Sequence, residues 1–129
     1  MSESLKILVV DDDKVSRSMI SGFVKGLGCV PVEADNGHTA LAVLDTTPDV
    51  DLLITDVMMP KVDGSELVKL LRNRDGCAEF PVILTSGIVD ATDVGDLLLS
   101  DFATFIPKPV NAKVLAGAIQ QYFPAASLV

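Results

Sequence analysis

The sequence predicts a single α/β domain, a five-stranded parallel sheet doubly wound with helices, and three observations predict it. Five short apolar runs, mostly β-branched or aromatic, alternate with segments in which apolar residues recur every three or four positions, the pattern of repeated βα units. Prolines fall in the second and fifth runs, Pro31 inside one and Pro107 closing the other. Proline has no N–H to donate and is tolerated in sheets mainly at an edge, so these two strands are expected outside and the first, third and fourth inside. That placement matches the flavodoxin-like order 2-1-3-4-5. Finally, four of the five runs end in polar residues that a strand does not need: Asp11 and Asp12, Asp56, Ser86, and Lys108. In such a sheet these ends share one rim, where ligands bind beside the switch point between the first and third strands.

The elements follow in order. The first strand, Ile7 to Val10, runs into three aspartates, of which Asp13 is placed to cap the next helix. That helix is expected to carry Val15, Met19, Phe23 and Leu27 on its apolar face and to stop at Gly28, a natural C-terminal cap. Val30 to Ala34 forms the second strand, and Gly37 to Leu44 a short helix after it. Leu52 to Thr55, Val82 to Thr85 and Thr104 to Ile106 are the remaining strands. Helices are expected from Ser65 to Asn73, Ala91 to Ser100 and Asn111 to Tyr122, the last ended by Pro124. Thr46-Thr47-Pro48, Asp63-Gly64 and Asp75-Gly76 carry turn chemistry, and no connection is long enough to link two domains. Residues 1–129 therefore read as one domain with its core in about 5–123.

A chain of 129 residues, 49% of them hydrophobic, can bury a continuous core without disulfides or a structural metal. No apolar run approaches the roughly 20 residues of a membrane span, and the N-terminus lacks the basic region and cleavage site of a signal peptide, so a cytoplasmic protein is expected. The net charge of -8 opposes nucleic-acid binding, which depends on Lys and Arg neutralising phosphates. Cys29 and Cys77 have neither CxxC spacing nor neighbouring histidines, so they are expected to be reduced and free of zinc. His38 follows Asn36-Gly37 on a short polar helix face, where an exposed structural role is expected rather than phosphotransfer.

The chemistry concentrates on the rim. A helix cap accounts for one carboxylate per helix, whereas Asp11, Asp12 and Asp56 bring three. Gathered carboxylates repel one another, and such a cluster normally persists because it binds a hard cation through oxygen. Magnesium is the natural occupant: it takes few protein carboxylates, keeps several waters and draws its remaining ligands from phosphoryl oxygens. Lys108, confined by Pro109 after an apolar strand, places a phosphate-suited charge on the same rim.

Through Val9-Val10-Asp11-Asp12, Asp56-Val57-Met58-Met59-Pro60 with Asp63-Gly64, Pro81-Val82-Ile83 leading to Ser86-Gly87, and Lys108-Pro109, the chain resembles the response-regulator receiver family of two-component signalling. Each motif alone is moderately specific; four in the right order, each at its own strand end, make a strong combined signal. The resemblance implies that Asp56 is the phosphoacceptor, Asp12 a direct magnesium ligand, Asp11 a ligand mainly through water, and the main-chain carbonyl of Met58 a further ligand. It implies that Ser86 binds a phosphoryl oxygen through its hydroxyl, that Gly87 offers access and a backbone N–H, and that Lys108 pairs with another oxygen. Asp56 would attack phosphorus as a carboxylate nucleophile while metal and lysine neutralise the equatorial oxygens.

In the same family terms Phe105 is the aromatic switch residue that turns inward when phosphorylation draws in Ser86. Many relatives have tyrosine there, so contacts through a hydroxyl are not expected. Met58 and Ile88 occupy the two variable positions flanking the acyl phosphate. Being apolar, they would shield it and orient no attacking water, which implies a long-lived phosphorylated form. The implied partners are a sensor histidine kinase or histidine phosphotransfer protein and an unidentified downstream protein, the latter met through the fourth helix, fifth strand and fifth helix. A monomer or a phosphorylation-dependent dimer is implied. Asp101-Phe102 departs from the family's common Gly-Ala, and Leu97, Leu98 and Leu99 cannot all share one buried stripe.

Other readings compete. Asp11-Asp12-Asp13-Lys14-Val15 also fits the DxDx(T/V) pattern of haloacid-dehalogenase-like phosphatases, with Asp11 as nucleophile and Asp13 as acid/base, but that family's later paired acidic motif is missing. A flavodoxin-like cofactor binder would need a Ser/Thr/Gly-rich phosphate loop after the first strand. A constitutive interaction module would need none of the site residues. With only Ala125 to Val129 after the last helix, a stand-alone regulator acting by protein contact is the simplest expectation.

Overall fold

The computed structural model describes residues 4–57, 59, 64–87, 103–126 and 128. Strands β1 (Lys6–Val10), β2 (Val30–Ala34), β3 (Leu52–Asp56), β4 (Val82–Ser86) and β5 (Ala103–Pro107) form one parallel sheet in the order β2-β1-β3-β4-β5. Helices α1 (Lys14–Gly26), α2 (Gly37–Thr46), α3 (Gly64–Arg72) and α4 (Ala112–Tyr122) cover it. This α4 is the fifth helix of the sequence reading; the segment expected to form the fourth, with Leu97 to Leu99, lies outside the described residues.

The prolines sit where the ladder can spare them. Val30 donates its N–H to the Leu5 carbonyl, and the Ala34 carbonyl accepts from Asp11, so alternation turns the main chain of Pro31 outward. The N–H that Pro31 lacks falls on the open edge. Pro107 ends β5, the other edge strand.

Successive side chains on a strand point to opposite faces, and the sheet accordingly separates two apolar layers. Ile7, Val9, Leu52, Ile54, Ile83 and Ile106 pack against Ile20 and Val24 of α1 and Leu115 and Ile119 of α4. Leu8, Val10, Leu53, Val82 and Leu84 pack against Ala40 of α2 and Leu67, Val68 and Leu71 of α3. Burial on both faces explains why the central strands are almost wholly apolar rather than alternating.

The apolar face expected for α1 is corrected. Val15 is 69% and Met19 45% exposed, while Ile20, Val24 and Leu27 face the core. Each four-residue step overshoots a helical turn by about 40°, so the series from Val15 to Leu27 crosses the helix surface instead of following one face. The ends of α1 are as expected: the Asp13 carboxylate accepts the Ser16 N–H at 3.0 Å, and Gly28 takes a φ of 85° just beyond the last turn. Asn36 and Asn111 cap α2 and α4 in the same way. Cys29 and Cys77 are free thiols, and His38 is exposed. Among the described residues no helix is long and apolar enough to cross a membrane.

Candidate functional site

The rim at the carboxyl ends of the strands gathers the predicted acids. Val10 of β1 pairs with Thr55 of β3, which brings the next residues, Asp11 and Asp56, side by side. Asp12 follows on the turn into α1. One carboxylate oxygen from each of the three lies within 4.8 Å of the others. Asp11 is fully buried, Asp56 nearly so at 6% exposure, and Asp12 is open to solvent. Three hard oxygen donors this close, one facing water, suit a small divalent cation that keeps part of its hydration shell. The described histidine and cysteines are not among them.

Lys108, just past β5, reaches across. Its ammonium donates to Asp11 Oδ2 at 2.9 Å and lies 3.3 Å from Asp56 Oδ2, while its N–H donates to the Ser86 carbonyl at 2.9 Å. Burial pulls the Lys108 ammonium down, but the Asp11 and Asp56 carboxylates outweigh it and hold its pKa above the ordinary lysine value. Lys108 therefore stays charged and offsets part of the repulsion among the acids. Asp11 is further fixed because its Oδ1 accepts the Asp13 N–H at 2.9 Å. Asp13 itself points away to cap α1, and the Ser16 N–H lowers its carboxyl below the usual range.

Ser86 ends β4 buried, and Phe105 lies half-buried on the neighbouring strand, paired with Leu84. Alternation puts Leu84 and Ser86 on one face, so Phe105 is a diagonal neighbour of Ser86. Among the described residues, a Cβ added at Gly87 would meet nothing within 4 Å. Met58 and Ile88 fall outside the described residues, as do Pro60, Asp63, Asp101 and Phe102.

Three residues that the sequence reading did not assign to the site contribute to it. Gly64 opens α3 so close to β3 that a Cβ there would overlap the Asp56 carbonyl and stand 2.9 Å from Val57 Cα. Its sequence signal, the Asp63-Gly64 pair, marks a turn and belongs to the motif that carries the family resemblance, but gives the glycine no role of its own. Arg17 donates to the main-chain carbonyl of Asp11 at 2.8 Å and pairs with Glu33 at 3.1 Å. Nothing local distinguishes it from a solvated helix arginine. Thr85, in register with Asp56, is buried, and its hydroxyl has no hydrogen-bond partner among the described residues.

Beside Lys108 a groove of about 300 Å³ runs between α1 and the turn after β5, lined by Ser16, Met19, Ile20, Lys108, Pro109 and Val110. A larger cavity, about 390 Å³, lies at the amino end of the sheet among Leu5, Cys29, Tyr122, Phe123 and Leu128. That one is remote from the acids and largely apolar, and burial raises its Cys29 thiol pKa, so the chemistry belongs to the rim.

Comparison with known proteins agrees with this geometry. The family model described as response regulator receiver domain matches residues 7–120. Protein PilG of Pseudomonas aeruginosa is 34% identical over 128 residues, covering 96% of this chain and 91% of that protein. Chemotaxis protein CheY1 of Helicobacter pylori is 35% identical over 117 residues, covering 90% and 94%. Among solved structures, a response regulator receiver protein from Pseudomonas putida superposes with a TM-score of 0.85 at 27% identity, covering 94% of this chain and 99% of that one.

Proposed function

Because this chain belongs to the response regulator receiver domain family, we propose that it is a magnesium-dependent switch that accepts a phosphoryl group on Asp56 from a histidine kinase or histidine phosphotransfer protein. The observation that carries this reading is the row Asp11–Lys108–Asp56, a half-buried cation bridging two buried carboxylates with the exposed Asp12 within 4.8 Å.

In this reading Asp12, Asp56 and the Met58 carbonyl would hold magnesium, with Asp11 contributing mainly through water, and the ion would neutralise charge on the phosphoryl oxygens. An Asp56 carboxylate oxygen attacks phosphorus in line. The new P–O bond forms as the P–N bond to the donor imidazole breaks, and the imidazole leaves with the bonding pair. Lys108 exchanges part of its contact with Asp56 for a phosphoryl oxygen, and the Ser86 hydroxyl binds another. The dianionic group then draws Ser86 inward, and Phe105, its diagonal neighbour, turns to change the surface of β5 for a downstream protein. Met58 and Ile88, assigned from sequence alone, slow hydrolysis by shielding; faster phosphate loss from Met58→Glu than from wild type is the measurement for that role.

The rival phosphatase reading needs Asp11 as a free nucleophile and Asp13 as acid/base. Asp11 instead has each carboxylate oxygen engaged, by Asp13 N–H and Lys108, and Asp13 is occupied as a helix cap. Intact mass after incubation with acetyl phosphate and magnesium tests the proposal. One phosphoryl group should add, and it should be lost on chelation or in Asp56→Asn; equal labelling of Asp56→Asn would refute the assignment.

A further inference from the structure

Asp12 is the acid of the cluster with no hydrogen bond or ion pair to hold its side chain among the described residues, so its position depends on its main chain. The peptide unit joining Asp11 to Asp12 is held through the Asp11 carbonyl, which accepts from Arg17 Nη1 at 2.8 Å. Arg17 is only 17% exposed and is anchored in turn by Glu33 of β2, its Nε 3.1 Å from the Glu33 carboxylate. The preceding peptide unit is held by the same strand, since the Asp11 N–H donates to the Ala34 carbonyl at 3.2 Å. The edge strand β2, which supplies no acid to the cluster, therefore clamps both peptide units around Asp11. It does so directly at Ala34 and through Arg17 at Glu33.

We propose that Arg17, anchored by Glu33, is a positioning residue for the metal site, fixing the peptide plane from which Asp12 projects. This rests on the metal-binding reading given above. Two physical effects oppose each other here, and that makes the proposal testable. If Arg17 acted only through charge, removing a cation beside a cation site would tighten metal binding. If it acts by holding the Asp11–Asp12 peptide, removing it loosens a ligand and weakens binding, about tenfold by analogy with other groups that orient metal ligands.

The experiment titrates the purified full chain with Mn2+, reading free ion by electron paramagnetic resonance, for wild type, Arg17→Ala, Arg17→Lys and Asp12→Asn. Thermal unfolding is recorded without metal. Arg17→Ala should bind Mn2+ about tenfold more weakly at a temperature where it is fully folded. Phosphorylation by acetyl phosphate should then need more magnesium for half-saturation but regain the wild-type rate at saturation. Unchanged or tighter Mn2+ binding by folded Arg17→Ala overturns the proposal. Should that variant not fold, Arg17→Lys decides, because it keeps the charge but cannot reach Glu33 and the Asp11 carbonyl together. Weaker Mn2+ binding there supports positioning and wild-type affinity overturns it. A wild type that binds no Mn2+, with Asp12→Asn identical to it, would instead refute the metal reading itself.

Discussion

Two threonines on adjacent strands offer a controlled test of how polar groups behave around the rim. Thr55 and Thr85 are both fully buried, one on β3 and one on β4. The Thr55 hydroxyl donates to the Asp56 carbonyl at 3.1 Å, whereas the Thr85 hydroxyl has no partner among the described residues. Replacing either with the isosteric valine removes one hydroxyl and leaves the packing volume nearly unchanged. At Thr85 the change removes an unsatisfied buried group and should stabilise the protein by about 1–2 kcal/mol. At Thr55 it removes a hydrogen bond and should cost about 1 kcal/mol. An unfolding entropy of about 2.1 cal/mol/K per residue gives roughly 270 cal/mol/K for this chain, so 1 kcal/mol moves Tm by about 4 °C. Thr85→Val should therefore melt about 4–8 °C above wild type and Thr55→Val about 4 °C below it. The chain has no tryptophan and one tyrosine, so helical circular dichroism is the natural probe, with urea unfolding confirming an unchanged m value. If Thr85→Val is no more stable than wild type, its hydroxyl is satisfied and the reasoning fails.

Other outcomes follow from the same geometry. Gly64→Ala places a methyl against the Asp56 carbonyl and should cost about 1–3 kcal/mol in urea unfolding as well as slow phosphorylation; wild-type stability would show that α3 can move away freely. Lys108 has a raised pKa in the folded chain, so its stabilising contribution is fully present below the ordinary lysine value of 10.5 and is lost as pH rises through the folded value. Wild type should accordingly lose stability more steeply than Lys108→Met above pH 10.5, and parallel curves for the two would rule out the bridge to Asp11 and Asp56.

The βα alternation, the edge positions of Pro31 and Pro107 and the polar residues closing four of the five strands were enough to determine the sheet order and the rim, because each is a local signal read at period two, at period 3.6 or at a single residue. They were enough as well to name Asp11, Asp12 and Asp56 as a possible cation site, since strand ends of a parallel sheet share one side. The inward face of α1 was not legible in that way: Val15 and Met19 are as apolar as Ile20 and Val24, and only packing against β1 and α4 decides which side is buried. Arg17, Gly64 and Thr85 owe their places to the tertiary structure alone. Arg17 meets a carbonyl just past β1 and a carboxylate on β2, Gly64 matters because α3 starts against the Asp56 carbonyl, and the Thr85 hydroxyl has no partner among its described neighbours. The bridge from Lys108 to Asp11 spans 97 residues of chain. No local pattern encodes such a distance, and it is closed only when the sheet assembles and sets β1, β3 and β5 in register.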